Sequence, residues 1–152
     1  MPELTFRDWN ATVHSSAEEV LETMFFCSVF GQAASQPAFD AISARLRFEG
    51  DPSGTFTVGI SLGAARLITA NFLGLEPKET LPNDIEQVTS ELASMMCGSI
   101  LARNTTQQTF LLNHPEIVEL TNAPPGALVV DFEIEDGFIT TQLNFDTSNN
   151  GK

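Results

Sequence analysis

Glu91 and Ser94 are the residues whose chemistry and spacing most strongly suggest a working surface. They lie three positions apart in a pattern of helical period, so both side chains can contact one incoming group. Gln87 and Gly98 fall on the same side of that helix, and we call these four residues the polar stripe. A carboxylate pairs with a cation, whereas a hydroxyl both donates and accepts hydrogen bonds. Because glycine inside a helix costs about 1 kcal/mol relative to alanine, Gly98 indicates a close approach by a core neighbour or by a partner.

The polar stripe needs a helix to carry it, and the pattern predicts one long helix over residues 83–103. Asn83 and Asp84 are good capping residues at its start. Five apolar residues recur at helical spacing on the face expected to pack on the core: Ile85, Val88, Leu92, Met95 and Met96. An ordinary solvated helix face has the same polar composition as the stripe, so the residues alone leave both interpretations open.

Other residues with possible chemistry give weaker predictions. The candidates for metal ligands are His14, Cys27, Cys97 and His114. No two of them have the short spacing of a zinc site, so we predict no metal site. The last predicted hairpin carries four acidic residues: Asp131, Glu133, Glu135 and Asp136. We interpret them as the solvated side of an alternating strand, and the chain contains no phosphate-binding glycine motif.

The composition bounds the classes of function. A chain of 152 residues, 42% of them apolar, encloses one core, so we predict a single domain over residues 1–146 and a flexible tail over residues 147–152. A net charge of −13 argues against binding to nucleic acid or to an anionic membrane surface. No apolar run is long enough for export or for a membrane span, and Cys27 and Cys97 lie far apart in apolar patterns. We therefore expect a reduced, cytoplasmic setting.

The order of the remaining elements predicts the fold class, an α/β (α+β) sandwich in which helices pack on an antiparallel or mixed sheet. We expect a first helix that begins at a cap formed by Ser15 and Ser16 and that ends at Gly31. The alternating runs ISARLRFEG and TFTVGISL then predict two antiparallel strands joined by a turn.

The second half of the chain predicts three further elements around the long helix. Gly63 opens a helical stretch that Gly74 closes as a C-cap. A strand broken near Pro115 follows the long helix, and a hairpin with its turn at residues 135–137 completes the domain.

Two stretches carry a family resemblance. GTFTVGISLGAARLITANFLG, followed after a short acidic loop by DIEQVTSELASMMCGSILA, resembles the CheX branch of the CheC/CheX/FliY chemotaxis phosphatases. The pattern EEVLETMF in the first helix and the closing hairpin also fit, so the resemblance spans nearly the whole domain. It implies a CheC/CheX-like sandwich that binds a phosphorylated CheY-type response regulator and promotes hydrolysis of its aspartyl phosphate.

The family motif is a Glu followed three residues later by an Asn. The resemblance implies that Glu91 pairs with the active-site lysine of the regulator, and it places Ser94 where the Asn orients the attacking water. A serine hydroxyl ends about one bond nearer the backbone, and a misplacement of about 1 Å can cost on the order of 100-fold in rate. The first helix carries Val20 and Thr23 at the equivalent positions, so only one surface is a candidate.

Three functions stay open from the sequence. The first is a phosphatase in which Glu91 docks the regulator and Ser94 is a weak or substitute water-positioning group. The second is an adaptor domain that binds the regulator without hydrolysis, and the third is an interaction domain with an unrelated partner. The resemblance also implies a homodimer, for which an exposed closing strand offers an edge, and no cofactor of its own, since Mg²⁺ would belong to the regulator.

Overall fold

A computed structural model describes residues 6–33, 40–104 and 109–146 of the chain. Within these residues the helices are α1 (Phe6–Met24), α2 (Leu62–Leu73) and α3 (Pro82–Asn104), with a 3₁₀ turn at Pro77–Glu79. The strands are β1 (Val29–Gln32), β2 (Ala41–Glu49), β3 (Gly54–Ser61), β4 (Leu111–Leu112), β5 (Glu116–Val118), β6 (Leu128–Ile134) and β7 (Gly137–Phe145). No helix within these residues combines the length and apolar composition that a membrane span requires.

The described strands form one antiparallel sheet with the order β1-β6-β7-β3-β2-β4, and β5 also pairs with β2. Alternating side chains give the sheet two different faces. One apolar row crosses four strands through Leu46, Phe56, Leu143 and Leu128, and all four residues are buried. The opposite face carries polar rows such as the one formed by Arg45, Thr57 and Gln142. The predicted α+β sandwich is therefore confirmed, and its sheet is antiparallel.

Helices α1 and α3 pack against each other and bury their apolar residues in one core with the sheet. The long helix predicted over residues 83–103 is confirmed as α3, which begins at Pro82, where a missing backbone donor costs nothing. Asp84 caps it by accepting a hydrogen bond from the backbone N–H of Leu81 at 3.1 Å. Because α3 buries one side in this core, the core fixes the rotation of α3 about its own axis.

Several turn predictions are also confirmed. Gly74 ends α2 with a left-handed φ of 73°, as a C-cap glycine does. The strand predicted to break near Pro115 is divided into β4 and β5, and both pieces pair with β2. The closing hairpin turns at Glu135 and Asp136, and Asp136 takes a positive φ of 67°.

The predicted bounds of the first helix are wrong at both ends. Ser15 and Ser16 lie inside α1, and Ser16 is buried because its hydroxyl meets α3 instead of capping a helix. The helix ends at Met24, after which Phe26 adopts a left-handed φ of 51° and the backbone N–H of Cys27 donates to the carbonyl of Leu21 at 3.0 Å, which closes the helix end. Gly31 lies in β1, a strand that the sequence did not predict.

The expectation that the closing strand offers an edge for dimerisation is also wrong. Strand β7 lies between β3 and β6 and is paired on both sides, because the chain returns β7 to the middle of the sheet. The outer strands among the described residues are β1 on one side and β4 with β5 on the other. The predicted tail over residues 147–152 lies outside the described residues, and the division at residue 146 stays a prediction.

Candidate functional site

The polar stripe lies on α3 on the side turned away from the core. Leu92, Ala93 and Met96 have no exposed surface and hold the opposite side of the helix against the sheet and α1. Gln87 and Glu91 are exposed, whereas Ser94 and Gly98 are half-buried. The structure therefore brings all four residues of the stripe together on one accessible surface.

Gly98 leaves a gap in the side chains of this surface. A Cβ atom built on Gly98 meets no atom of the described residues within 4 Å, apart from its own helix backbone and chain neighbours. The sequence allowed two explanations for Gly98, a close core neighbour or a close partner. No core neighbour among the described residues requires a glycine here. The gap exposes a bare patch of helix backbone that an external group can approach closely.

Glu91 is held without a local counter-ion. Neither Glu91 nor Gln87 forms a side-chain hydrogen bond or ion pair with another described residue. By contrast, Arg103 at the last turn of α3 is paired with Glu19 of α1. A cation brought to Glu91 therefore has no existing ion pair to displace in this part of the molecule.

A groove of about 360 Å³ adjoins the N-terminal half of the polar stripe. One wall is formed by Asn83, Glu86, Gln87 and Ser90 of α3, and the other by the corner between β4 and β5, with His114, Pro115 and Ile117. Ile117 keeps 40% of its surface exposed. Gln87 belongs to both the groove and the stripe, so the two form one continuous surface.

Sequence reasoning missed the groove. A break near Pro115 was predicted, but no local pattern places that corner beside a helix some 30 residues earlier in the chain. The contact arises because β5 pairs with β2 while α3 packs over β2 on the same side of the fold. Only the sheet register provides this information.

The residues considered as metal ligands lie apart. His14 packs edge-on against Phe132, with ring centres 5.5 Å apart, and His114 lines the groove. Burial raises the pKa of the Cys97 thiol to about 12, and burial together with the charge of Glu135 raises that of Cys27 to about 12. No cluster of three or more potential metal ligands occurs among the described residues.

The acidic residues of the closing hairpin are partly structural. Asp131 accepts a hydrogen bond from the hydroxyl of Thr140, and Glu135 accepts one from the backbone N–H of Ser28 at 3.3 Å. Glu133 and Asp136 are exposed. Asp131 therefore links the two strands of the hairpin, and Glu135 links its turn to the segment before β1, while the other two carboxylates fit the interpretation of a solvated side.

Comparison with known proteins gives one family and one fold. The family model of the chemotaxis phosphatase CheX matches residues 42–127, which is more than half of the chain and includes the polar stripe. No curated protein sequence matches the chain.

Solved structures with the same fold cover almost the whole chain. The chemotaxis protein CheX from Vibrio vulnificus is 18% identical, with a TM-score of 0.75 over 95% of this chain and 100% of that one. CheX from Desulfovibrio desulfuricans is 17% identical, with a TM-score of 0.71 over 91% and 99%. The CheX–CheY–BeF3–Mg²⁺ complex from Borrelia burgdorferi is 14% identical, with a TM-score of 0.72 over 92% and 99%. At these identities the likeness establishes the fold.

Proposed function

We propose a function from one premise: this chain belongs to the CheX family of chemotaxis phosphatases. The proposed function is to bind a phosphorylated CheY-like response regulator and to promote hydrolysis of its aspartyl phosphate. The observation that carries the proposal is the pair of Glu91 and Ser94 on the outward side of a helix that the core holds fixed. A protein of the same fold is known in complex with CheY, BeF3 and Mg²⁺, which supports a regulator of this kind as the partner.

Glu91 is proposed to pair with the active-site lysine of the regulator. Its carboxylate is exposed and has no ion-pair partner among the described residues, so docking supplies the counter-charge. A hydrogen bond between two ionised groups is roughly twice as strong as a neutral one, and it gains further as the interface excludes water. The pair would fix both the position and the orientation of the regulator on α3.

Ser94 is proposed to orient the attacking water. Phosphoryl transfer needs little covalent help and depends on placing the nucleophile in line and on balancing charge. The hydroxyl of Ser94 lies one helical turn from Glu91 and can donate to or accept from one water. We assign the chain no cofactor of its own, since the Mg²⁺ of this reaction would be held by the regulator.

An adaptor without hydrolysis is the second candidate function, and one observation favours it. The family motif has Asn where this chain has Ser94, which shortens the side chain at the position that handles water. The variant Ser94→Asn separates the two functions. A large gain in hydrolysis over an inactive wild type favours the adaptor, whereas an active wild type whose rate Ser94→Asn leaves almost unchanged favours the phosphatase.

The test of the proposed function is the lifetime of a phosphorylated cognate regulator in the presence of Mg²⁺. The wild-type protein is expected to shorten this lifetime, and Glu91→Ala is expected to abolish the effect. Glu133→Ala is the matched control, since it removes an exposed carboxylate from the polar face of the sheet. If no regulator from the same cell is dephosphorylated faster, the phosphatase function is contradicted.

We also propose a homodimer and a cytoplasmic location, which rest on the family resemblance. Strand β1 pairs only with β6 among the described strands and presents Phe30 with 63% of its surface exposed, so it is an available edge. Light scattering coupled to size-exclusion chromatography measures the molar mass of the protein in solution. A mass of one chain at micromolar concentration would contradict the dimer.

A further inference from the structure

The polar stripe carries one carboxamide, that of Gln87, which lies on the opposite side of Glu91 from Ser94. We propose that Gln87 supplies a carboxamide that orients the attacking water together with the hydroxyl of Ser94, so that the amide absent at position 94 is provided from the turn before Glu91. This inference rests on the proposed phosphatase function. It assigns a water-positioning role to a residue outside the family motif.

The geometry of an α-helix places Gln87 and Ser94 almost in line. Seven residues fall only about 20° short of two full turns, so both side chains leave the helix in nearly the same direction. Along the axis, Gln87 lies about 6 Å before Glu91 and Ser94 about 4.5 Å after it. A phosphoryl group held beside Glu91 is therefore within reach of side chains from both positions.

Gln87 is the only carboxamide of α3 that is near enough. The helix contains three such side chains, Asn83, Gln87 and Asn104. Asn83 is eight residues, about 12 Å, from Glu91, and Asn104 lies at the far end, where it accepts a hydrogen bond from Thr12 at 2.6 Å. The extra methylene of glutamine, compared with asparagine, offsets the slightly larger axial distance at four residues.

The surroundings of Gln87 leave it free to act. It is exposed, has no side-chain partner among the described residues, and lines the groove opposite Pro115 and Ile117. A regulator loop that enters this groove is brought against the Gln87 amide. At the other end of the stripe, Ser94 and Gly98 are small and present no competing long side chain.

The chemistry requires only positioning. The amide oxygen of Gln87 accepts a hydrogen bond from the attacking water, and its NH₂ group donates to a phosphoryl oxygen. The water oxygen forms the new bond to phosphorus while the bond from phosphorus to the aspartyl oxygen breaks. The aspartate leaves as carboxylate, both water hydrogens leave with the phosphate, and the amide gains and loses no proton.

The experiment measures kcat and KM for the phosphorylated regulator with four variants: Gln87→Ala, Asn122→Ala, Ser94→Asn and the double variant of Gln87→Ala with Ser94→Asn. Gln87→Ala is expected to lower kcat about 10-fold to 100-fold and to change KM less than 3-fold, because the amide acts on the water and not on docking. Asn122→Ala is the matched control and is expected to retain the wild-type rate. It removes an exposed amide next to Thr121, whose carbonyl accepts a hydrogen bond from Gln142 on the polar face of the sheet, away from α3. Ser94→Asn is expected to change the wild-type rate little and to restore the rate of Gln87→Ala.

Other outcomes overturn the inference and separate it from the proposed function. If Gln87→Ala retains the wild-type kcat while Glu91→Ala is inactive, the role of Gln87 is contradicted and the phosphatase function stands. If Gln87→Ala raises KM and leaves kcat unchanged, Gln87 is a docking contact only, which also contradicts the inference. If the wild-type protein fails to accelerate hydrolysis, both proposals are contradicted.

Discussion

Ser99 of α3 donates a hydrogen bond of 3.0 Å to the hydroxyl of Ser16, which is fully buried on α1. The bond lies next to Gly98, on the flank where α1 supports α3. Together with the buried side chain of Leu92, it fixes which side of α3 faces outward. A reaction that depends on placing a water to within about 1 Å requires this kind of rigid support.

Gly98 gives the first prediction. Gly98→Ala is expected to raise the free energy of unfolding by about 0.5–1 kcal/mol, because alanine favours a helix and its Cβ meets no atom of the described residues within 4 Å. Gly98→Phe is expected to keep the fold but to weaken regulator binding by covering the bare backbone. Urea unfolding and a binding titration measure the two effects, and unchanged binding by Gly98→Phe would show that no partner approaches here.

Leu92 gives a prediction about the support of the polar stripe. Leu92→Ala is expected to lower the free energy of unfolding by about 2–5 kcal/mol, because Leu92 is completely buried although the preceding residue, Glu91, is exposed. Denaturant unfolding monitored by circular dichroism measures the loss. A loss below about 1 kcal/mol would mean that this side of α3 is not part of a well-packed core.

The sequence predicted α3 well because its apolar residues recur with the helical period along the whole helix, and because the capping residues Asn83 and Asp84 place its start within one residue of the observed Pro82. The cap at Gly74 and the turn at Asp136 follow from local backbone chemistry. The prediction of a helix cap at Ser15 and Ser16 was wrong because serine is favoured both at a helix cap and at a contact between helices. Local sequence does not distinguish these two environments.

The candidate site also has features that local sequence predicts and features that depend on tertiary packing. The spacing of Glu91 and Ser94 defines the polar stripe without any tertiary information. The groove beside Gln87, in contrast, depends on β5 pairing with β2, which brings Pro115 to α3. The open space at Gly98 is likewise a property of packing, and a sequence pattern indicates only that the glycine needs an explanation.

Asp146 gives a prediction about pH. Two hydrogen bonds from the Arg47 guanidinium, at 2.6 and 3.1 Å, lower the pKa of the Asp146 carboxyl. A lowered pKa stabilises the fold above the ordinary pKa of aspartate, about 4, and this stabilisation is lost as the pH falls through the lowered value. Asp146→Asn is therefore expected to be less stable than the wild type at about pH 7 and to approach it below about pH 4. Urea midpoints at about pH 7 and pH 3 measure the difference, and a difference that does not depend on pH would contradict the ion pair.

The cysteines give a prediction about reactivity. Because burial raises the pKa of the Cys97 thiol to about 12, only on the order of 1 in 10,000 molecules carries the thiolate at pH 8. Cys27 has a pKa raised to the same value. Both residues are expected to resist iodoacetamide in the folded protein and to react fully in urea. Mass spectrometry counts the labels, and rapid labelling of the folded protein would contradict the burial of these thiols.

The central claim is that the polar stripe of α3 docks a CheY-like regulator through Glu91. The most direct measurement is a binding titration of the cognate regulator, activated with beryllofluoride and Mg²⁺, against the wild type, Glu91→Ala and the control Glu133→Ala. The expected result is saturable binding by the wild type and by Glu133→Ala, and a dissociation constant at least about 30-fold higher for Glu91→Ala, which corresponds to about 2 kcal/mol for a desolvated charge pair. Equal affinity of Glu91→Ala and the wild type would contradict the claim.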